Sequence, residues 1–166
     1  MIIETLFGPE DIPARHKSLK FKVIRAVFDT ITVKEAIPEY LDPLKRFTTA
    51  QQIFETFGYL RQESKEHFLA LHLDGKNRLS CVDRVAVGSL NSAIVHPREV
   101  FKTALLSSAA ALILIHNHPS GDPTPSREDL ELTGRLKEAG ELLGIKVLDH
   151  VIIGDTYVSL CERGLL

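Results

Sequence analysis

Residues 109–119, AAALILIHNHP, decide the fold, because they carry an apolar segment directly into two histidines. Residues 109–115 are apolar and rich in branched side chains, and so they predict a short buried β-strand. Successive side chains point to opposite faces of a strand. If the extended geometry continues through Asn117, His116 and His118 therefore project to the same face, where two imidazoles can share an ion.

A loop and a helix are predicted after the two histidines. Gly121, Pro123 and Pro125 favour the loop, and Ser126 opens a helical pattern with Asp129 in its first turn. Ser126 and Asp129 also match a capping box, in which the serine caps the helix and the carboxylate reaches back. The expected buried stripe of the helix consists of Leu132, Leu136, Ala139 and Leu143.

Together these residues offer the donor set of a catalytic zinc site. His116, His118 and Asp129 supply two imidazoles and one carboxylate, which leaves a fourth position for water. Zinc in such a site lowers the pKa of bound water to about 7. Two alternatives need no metal, since the capping box alone explains Ser126 and Asp129, and the histidines can be partly exposed loop residues. The two halves at this spacing favour the metal site.

The segments before this stretch predict a helix and a hairpin. Thr49 begins a capping-box sequence. The apolar face of its helix is Ile53, Phe54, Phe57 and Leu60. Residues 68–73 predict a strand, and Gly75 marks the turn after it. The returning strand is expected to be half-buried through Leu79, Cys81, Val85 and Val87.

Pro97 is expected to begin the next helix, and Gly144 to end the helix that Ser126 opens. The buried stripe of the Pro97 helix is predicted to be Val100, Phe101, Ala104 and Leu105. A strand begins at residues 145–148, and another is predicted at residues 157–161. His150, beside Asp149, is interpreted as a hydrogen-bonded strand histidine, with the orientation of a metal ligand as the alternative.

The pattern of His116, His118 and Pro119, followed by Ser126 and Asp129, resembles the signature of the JAMM (MPN+) metalloproteases. The surrounding sequence resembles the bacterial RadC family, which carries a JAMM domain and has been labelled as DNA repair. Four blocks carry this resemblance: 95–100, VHPREV; 116–123, HNHPSGDP; 148–154, LDHVIIG; and 162–166, ERGLL. The resemblance runs from about Thr48 to the C-terminus.

The resemblance implies an α/β fold with a mixed, twisted sheet flanked by helices, of the JAMM/MPN (cytidine deaminase-like) architecture. It implies a Zn²⁺-dependent hydrolase, a metallopeptidase or isopeptidase that acts on a peptide or protein substrate. His116, His118 and Asp129 match the metal ligands, and the Ser126 hydroxyl is expected to steady the oxyanion as well as to cap the helix.

JAMM enzymes also need a carboxylate that acts as general acid and base. Glu66 fits best, mostly from the resemblance and partly because it precedes the strand predicted at residues 68–73, from whose edge it could reach the zinc-bound water. Two alternatives are Glu63, on the preceding helix, and Glu99, in the first turn after Pro97, where an acid suits the helix dipole without catalysis.

Composition limits the remaining possibilities. With 166 residues and 44% hydrophobic content, the chain can bury one core. A net charge of −2 argues against a strongly basic nucleic-acid surface. Cys81 and Cys161 are expected to be buried or half-buried free thiols of a reducing compartment. No signal sequence or long apolar run is present, so we expect a cytoplasmic protein without a membrane partner.

The chain divides into an N-terminal extension, residues 1–43, and a JAMM/MPN-type domain, residues 44–166, with Pro38 and Pro43 at the boundary. The basic residues between 15 and 25 are interpreted as a solvated helical face, with a contact for an acidic partner or nucleic acid as the alternative. Two other functions stay open at this point: a DNA repair or recombination factor, and an inactive MPN scaffold.

Overall fold

The computed structural model describes residues 46–88 and 95–166, so the extension predicted for residues 1–43 lies outside the described residues. The described ranges contain five strands, three α-helices and a short 3-10 helix, Gly58–Gln62. The helices are α1 (Ala50–Phe57), α2 (Pro97–Leu106) and α3 (Arg127–Leu143). The strands are β1 (His67–Leu73), β2 (Leu79–Val87), β3 (Ala111–Asn117), β4 (Lys146–Ile153) and β5 (Tyr157–Ser159).

The strands form one mixed sheet in the order β2-β1-β3-β4-β5. β1 is antiparallel to both β2 and β3, β3 and β4 are parallel, and β5 returns antiparallel to β4. The crossover from β3 to β4 is made by α3, as parallel strands require a long connection. The predicted α/β class, with a mixed sheet flanked by helices, is confirmed.

Apolar side chains cover both faces of the sheet. β1 and β3 are buried along their whole length. Because strand side chains alternate, Leu69 and Leu71 pack on the side of α1, whereas Phe68 and Ala70 pack on the side of α2 and α3. Full burial of one such large side chain contributes about 1.5–3 kcal/mol to folding.

Local capping signals place the helix ends as expected. The Thr49 side chain accepts a hydrogen bond from Gln52 N, although Gln52 Oε1 reaches back to Thr48 N rather than to Thr49. Ser126 and Asp129 form the complete capping box at the start of α3. Gly144 ends α3 with a φ of 71°, in the left-handed region that favours glycine.

Several predicted burial positions are wrong. Leu105 is 54% exposed, Leu143 42% and Val87 44%. Val87 is exposed because the pairing of β1 with β2 shifts register between Phe68 and Leu69. Beyond that shift, the β2 side chains that were expected on the buried face point to the other face. Cys161 is exposed rather than half-buried, while Cys81 is partly buried, and both are free thiols.

The buried face of α3 also differs from the predicted leucine stripe. It consists of Asp129, Thr133, Leu136 and Gly140. Gly140 lies so close to the sheet that an added Cβ would collide with the carbonyl oxygen of Ile145. Leu136 is thus the one large apolar side chain on this buried face, while Leu132 and Ala139 of the predicted stripe are half-buried. Among the described residues, no helix combines the length and hydropathy needed to cross a membrane.

Candidate metal centre

The three predicted ligands meet at one end of the sheet. His116 is the last residue but one of β3, His118 follows the strand directly, and Asp129 is the third residue of α3. His116 Nε2 and His118 Nε2 are 2.9 Å apart. Asp129 Oδ1 lies 3.3 Å from His116 Nε2, and Asp129 Oδ2 lies 3.5 Å from His118 Nε2.

The two separations that involve Asp129 suit a single cation, and the two histidine nitrogens stand closer together than a bound ion would hold them. Ligand atoms at about 2.0–2.2 Å from a tetrahedral zinc ion stand about 3.3–3.6 Å from one another. Within residues 46–88 and 95–166, His116, His118 and Asp129 are the one group of three or more acidic, histidine or cysteine side chains with donor atoms all within 4.8 Å. A metal ion therefore fits the side chains present.

The Nδ1 atoms of both histidines are bonded to groups away from the centre. His118 Nδ1 lies 2.7 Å from the carbonyl oxygen of Asp122. A carbonyl oxygen only accepts, so this nitrogen carries the proton and His118 Nε2 presents a lone pair. His116 Nδ1 lies 2.7 Å from His150 Nε2, on the side away from Asp129. The nitrogens that face one another are consequently free to bind a cation.

The electrostatics favour the metal-binding forms of His116 and Asp129, whereas the interaction with the Asp129 carboxylate raises the pKa of His118. Burial lowers the pKa of His116, against the pull of the Asp129 charge. Burial also holds the pKa of His150 well below its usual range. For Asp129, burial would raise the pKa, but the neighbouring imidazoles of His116 and His118 outweigh it and keep the pKa far below its usual range. Near neutral pH, Asp129 is therefore ionised while His116 and His150 are neutral.

Ser126 orients the carboxylate of Asp129. Asp129 Oδ2 accepts hydrogen bonds from Ser126 N at 2.8 Å and from Ser126 Oγ at 2.6 Å. In return, Asp129 N donates to Ser126 Oγ at 3.1 Å. The Ser126 hydroxyl thus acts as helix cap and as carboxylate donor, and the expected role at the oxyanion stays a prediction.

Glu66 directly precedes β1. Burial lowers the pKa of His116 and the Asp129 carboxylate raises that of His118; the charge of Glu66 opposes the first shift and adds to the second. Its carbonyl oxygen accepts a hydrogen bond from Gly88 N at 2.9 Å, at the end of β2. The two alternatives have other neighbours. Glu63 lies 3.6 Å from His67, and Glu99 forms an exposed ion pair with Lys102 on α2. Glu66 therefore stands at the start of β1, and its acid/base role stays a prediction.

Asn117, the residue between the two histidines, fixes the backbone on both sides of Glu66. Its side chain is fully buried. Asn117 Oδ1 accepts from His67 N at 2.8 Å, and Asn117 Nδ2 donates to the carbonyl oxygen of Lys65 at 3.1 Å. The segment carrying Glu66 is thereby tied to β3, which carries the metal ligands.

Two residues of this environment, Asn117 and Thr133, were not predicted from the sequence. Asn117 stood there only as a spacer between the histidines, although an amide within a buried apolar strand needs partners for its oxygen and nitrogen. Thr133 lies one turn after Asp129 on α3 and is buried. Thr133 could have been predicted from its position four residues after Asp129, because this spacing puts both side chains on one face of the helix.

The fold and this donor set define an α/β domain of the MPN/JAB type. The chain belongs to the RadC family, because the family described as the RadC-like JAB domain matches residues 47–165. The predicted resemblance is confirmed over nearly the same range.

Relatives with the name UPF0758 protein are similar to this chain. The protein of Trichlorobacter lovleyi is 62% identical over 128 residues, which are 76% of this chain and 56% of that protein. The protein of Geotalea uraniireducens is 58% identical over 127 residues, 75% of this chain and 56% of the relative. The protein of Methanosarcina mazei is 47% identical over 145 residues, 86% of this chain and 62% of the relative. The chain thus spans less than two thirds of each relative.

Proposed function

We propose that this chain is a zinc-dependent hydrolase of the JAMM type, a metallopeptidase or isopeptidase that cleaves an amide bond. The observation that carries the proposal is the convergence of His116 Nε2, His118 Nε2 and the Asp129 carboxylate within 4.8 Å. Bound zinc supplies a Lewis acid that polarises a carbonyl oxygen and makes hydroxide available near neutral pH. Two findings support the proposal: membership of the RadC family, with its JAB domain, and the donor set of two imidazoles and one carboxylate.

The side chains around the centre have separate roles in this proposal. His116, His118 and Asp129 hold the ion. Glu66 accepts a proton from the attacking water and returns it to the departing amine. The Ser126 hydroxyl donates to the developing oxyanion, for which it must exchange its bond to Asp129 Oδ2.

A peptide or protein is the proposed substrate, with a cytoplasmic location. A DNA repair factor is the alternative from another class, and a steep salt dependence of DNA binding would favour it. The net charge of −2 argues against a broad basic surface for DNA. An inactive MPN scaffold does not require metal ligands. The presence of His116, His118 and Asp129 together therefore argues against this alternative.

Metal content tests the first part of the proposal. Purified protein loaded with zinc and then desalted is expected to retain about one zinc ion per chain, as measured by elemental analysis. His118→Ala should lose stoichiometric zinc because it removes one of three ligands. His96→Ala is the matched control, since His96 caps α2 through Arg98 N and stands outside the metal group. A wild-type protein that stays metal-free after loading contradicts the proposal.

Hydrolysis tests the second part. Glu66→Gln keeps the shape of the side chain and removes its basicity, so it should retain zinc and lose activity by a factor on the order of 10² or more. The assay is cleavage of mixed fluorogenic peptide and isopeptide libraries by zinc-loaded protein. Glu63→Gln and Glu99→Gln are the controls. Loss of activity in one of these, with activity kept in Glu66→Gln, would move the acid/base role to that residue.

A further inference from the structure

A chain of buried hydrogen bonds runs beneath the metal centre from one ligand to another. His116 Nδ1 lies 2.7 Å from His150 Nε2, and His150 Nδ1 lies 2.6 Å from Thr133 Oγ1. Thr133 Oγ1 then lies 2.6 Å from the carbonyl oxygen of Asp129. His116 and His150 are fully buried, and Thr133 is 1% exposed. This series of hydrogen bonds therefore begins at His116 on β3 and ends at Asp129 on α3.

The chemistry of the last group fixes the direction of every bond in this chain. The Asp129 carbonyl oxygen can only accept, so the Thr133 hydroxyl donates its single proton there. Thr133 Oγ1 must then accept from His150 Nδ1–H. A neutral imidazole has one donor and one acceptor nitrogen, so His150 Nε2 accepts from His116 Nδ1–H.

The consequence reaches the metal centre itself. With its proton held at Nδ1, His116 must present the lone pair of Nε2 toward His118 and Asp129. A buried polar chain that left any member unpaired would be costly. In this series of hydrogen bonds, His116 Nε2 is the nitrogen that is left with a lone pair and no donor. A bound cation would accept that lone pair.

We propose that His150 and Thr133 are positioning residues that select the tautomer of His116 and hold its ring for the metal. The inference rests on the proposed metal centre and concerns affinity, not turnover. Groups that bond the second nitrogen of a ligating histidine typically change metal affinity by 10–100-fold when they are mutated. The hydroxyl of Thr133 thus controls a ligand on a different element, through His150.

Zinc affinity of paired variants tests this inference. Thr133→Val keeps the shape and removes the hydroxyl, so His150 loses the acceptor that fixes its tautomer. Thr133→Ser keeps the hydroxyl. We expect Thr133→Val to bind zinc about 10–100-fold more weakly than wild type, and Thr133→Ser to stay close to wild type. The measurement is competition with a chromophoric chelator at fixed pH.

A second pair acts at His150. His150→Phe keeps a ring without an acceptor, whereas His150→Gln can place an amide oxygen near the position of Nε2. The phenylalanine variant should lose the larger part of the affinity, and glutamine should recover some of it. If His150→Phe does not fold, the comparison of Thr133→Val with Thr133→Ser decides the matter alone.

Thr103→Val separates this role from general destabilisation. Thr103 Oγ1 donates to Asp83 Oδ2 at 2.6 Å, a bond of the same length on α2 and outside the metal group. This variant should lose stability but keep wild-type zinc affinity. Long-range ¹H–¹⁵N spectra of the imidazoles add a direct readout, since wild-type His116 and His150 should both carry the proton at Nδ1.

Folded Thr133→Val and His150→Phe proteins that bind zinc as tightly as wild type would overturn the inference. So would a wild-type spectrum with the His116 proton at Nε2. The proposed function fails in a different way, through a wild-type protein that binds no zinc or a zinc-loaded protein that cleaves no peptide. The outcomes are therefore distinguishable.

Discussion

Both carboxylate oxygens of Asp129 face the candidate metal group, and one of them, Oδ2, also takes part in the helix cap. Its Oδ2 accepts both hydrogen bonds from Ser126 and completes the capping box of α3. Its Oδ1 faces His116 Nε2 at 3.3 Å. The capping box and the metal site were alternative explanations of the same two residues in the sequence. At the level of the residue they are compatible, because the cap bonds orient the carboxylate.

Ser126→Ala tests how many roles the hydroxyl has. The variant should lose about 0.5–2 kcal/mol of stability to urea, because the N-cap bond to Asp129 N is removed. If the hydroxyl also supports the oxyanion, kcat should fall by a factor on the order of 10² or more at unchanged zinc content. Full turnover by zinc-loaded Ser126→Ala would restrict the serine to the cap and to Asp129.

The appropriate control for this experiment is Ser126→Thr, which keeps a hydroxyl. Aspartate, an ordinary replacement at an N-cap, is a poor choice here. Ser126 Oγ lies 2.6 Å from Asp129 Oδ2, and a second carboxylate at that distance would repel the first. Ser126→Asp should therefore fail to restore stability.

Among the elements, the β1–β2 hairpin depends on one turn residue. Asp74 Oδ1 accepts from Lys76 N at 2.8 Å and from Arg78 N at 3.0 Å, and Asp74 Oδ2 accepts from Arg78 Nε at 2.7 Å. Asn77 has a φ of 59°, which asparagine tolerates better than most residues. Hydrogen bonds from Arg78 lower the pKa of Asp74 from 3.8 to about 2.

This lowered pKa predicts a pH dependence for Asp74→Asn. A carboxyl whose folded pKa is lowered stabilises the fold above its unfolded pKa, and the stabilisation is lost as the pH falls through the folded value. The variant should melt below wild type at pH 6. The difference should shrink between about pH 4 and pH 2. Thermal unfolding at a series of pH values measures it, and an unchanged difference at low pH would contradict the assignment.

Element ends were predictable because their signals are local. Thr49, Ser126 and Gly144 act within one helical turn, and the sequence alone identified all three. Buried faces were less predictable. Val87 follows a register shift that depends on pairing with β1, and a Cβ added at Gly140 would meet Phe101 of α2 and Val147 of β4. Both are set by contacts between elements, which periodicity within one element does not record.

At the scale of the whole molecule, the convergence of the three candidate ligands was predictable and their environment was not. His116, His118 and Asp129 lie within 14 residues of sequence, and strand and helix geometry brings them together. Asn117 bonds to a residue 50 positions away, and His116 bonds to His150, which is 34 positions away. These partners come together because β1 and β4 lie on either side of β3 in the sheet.

The same architecture predicts that zinc stabilises the domain without being required for its fold. The metal ligands lie at one end of the sheet, while the apolar clusters on its two faces are built from other side chains. A ligand that binds only the folded state adds about 2.7 kcal/mol at 100 times its Kd. Zinc should therefore raise the Tm of wild type and leave that of His116→Ala unchanged. Calorimetry with and without a chelator measures this, and a chelated protein without cooperative unfolding would instead identify the site as structural.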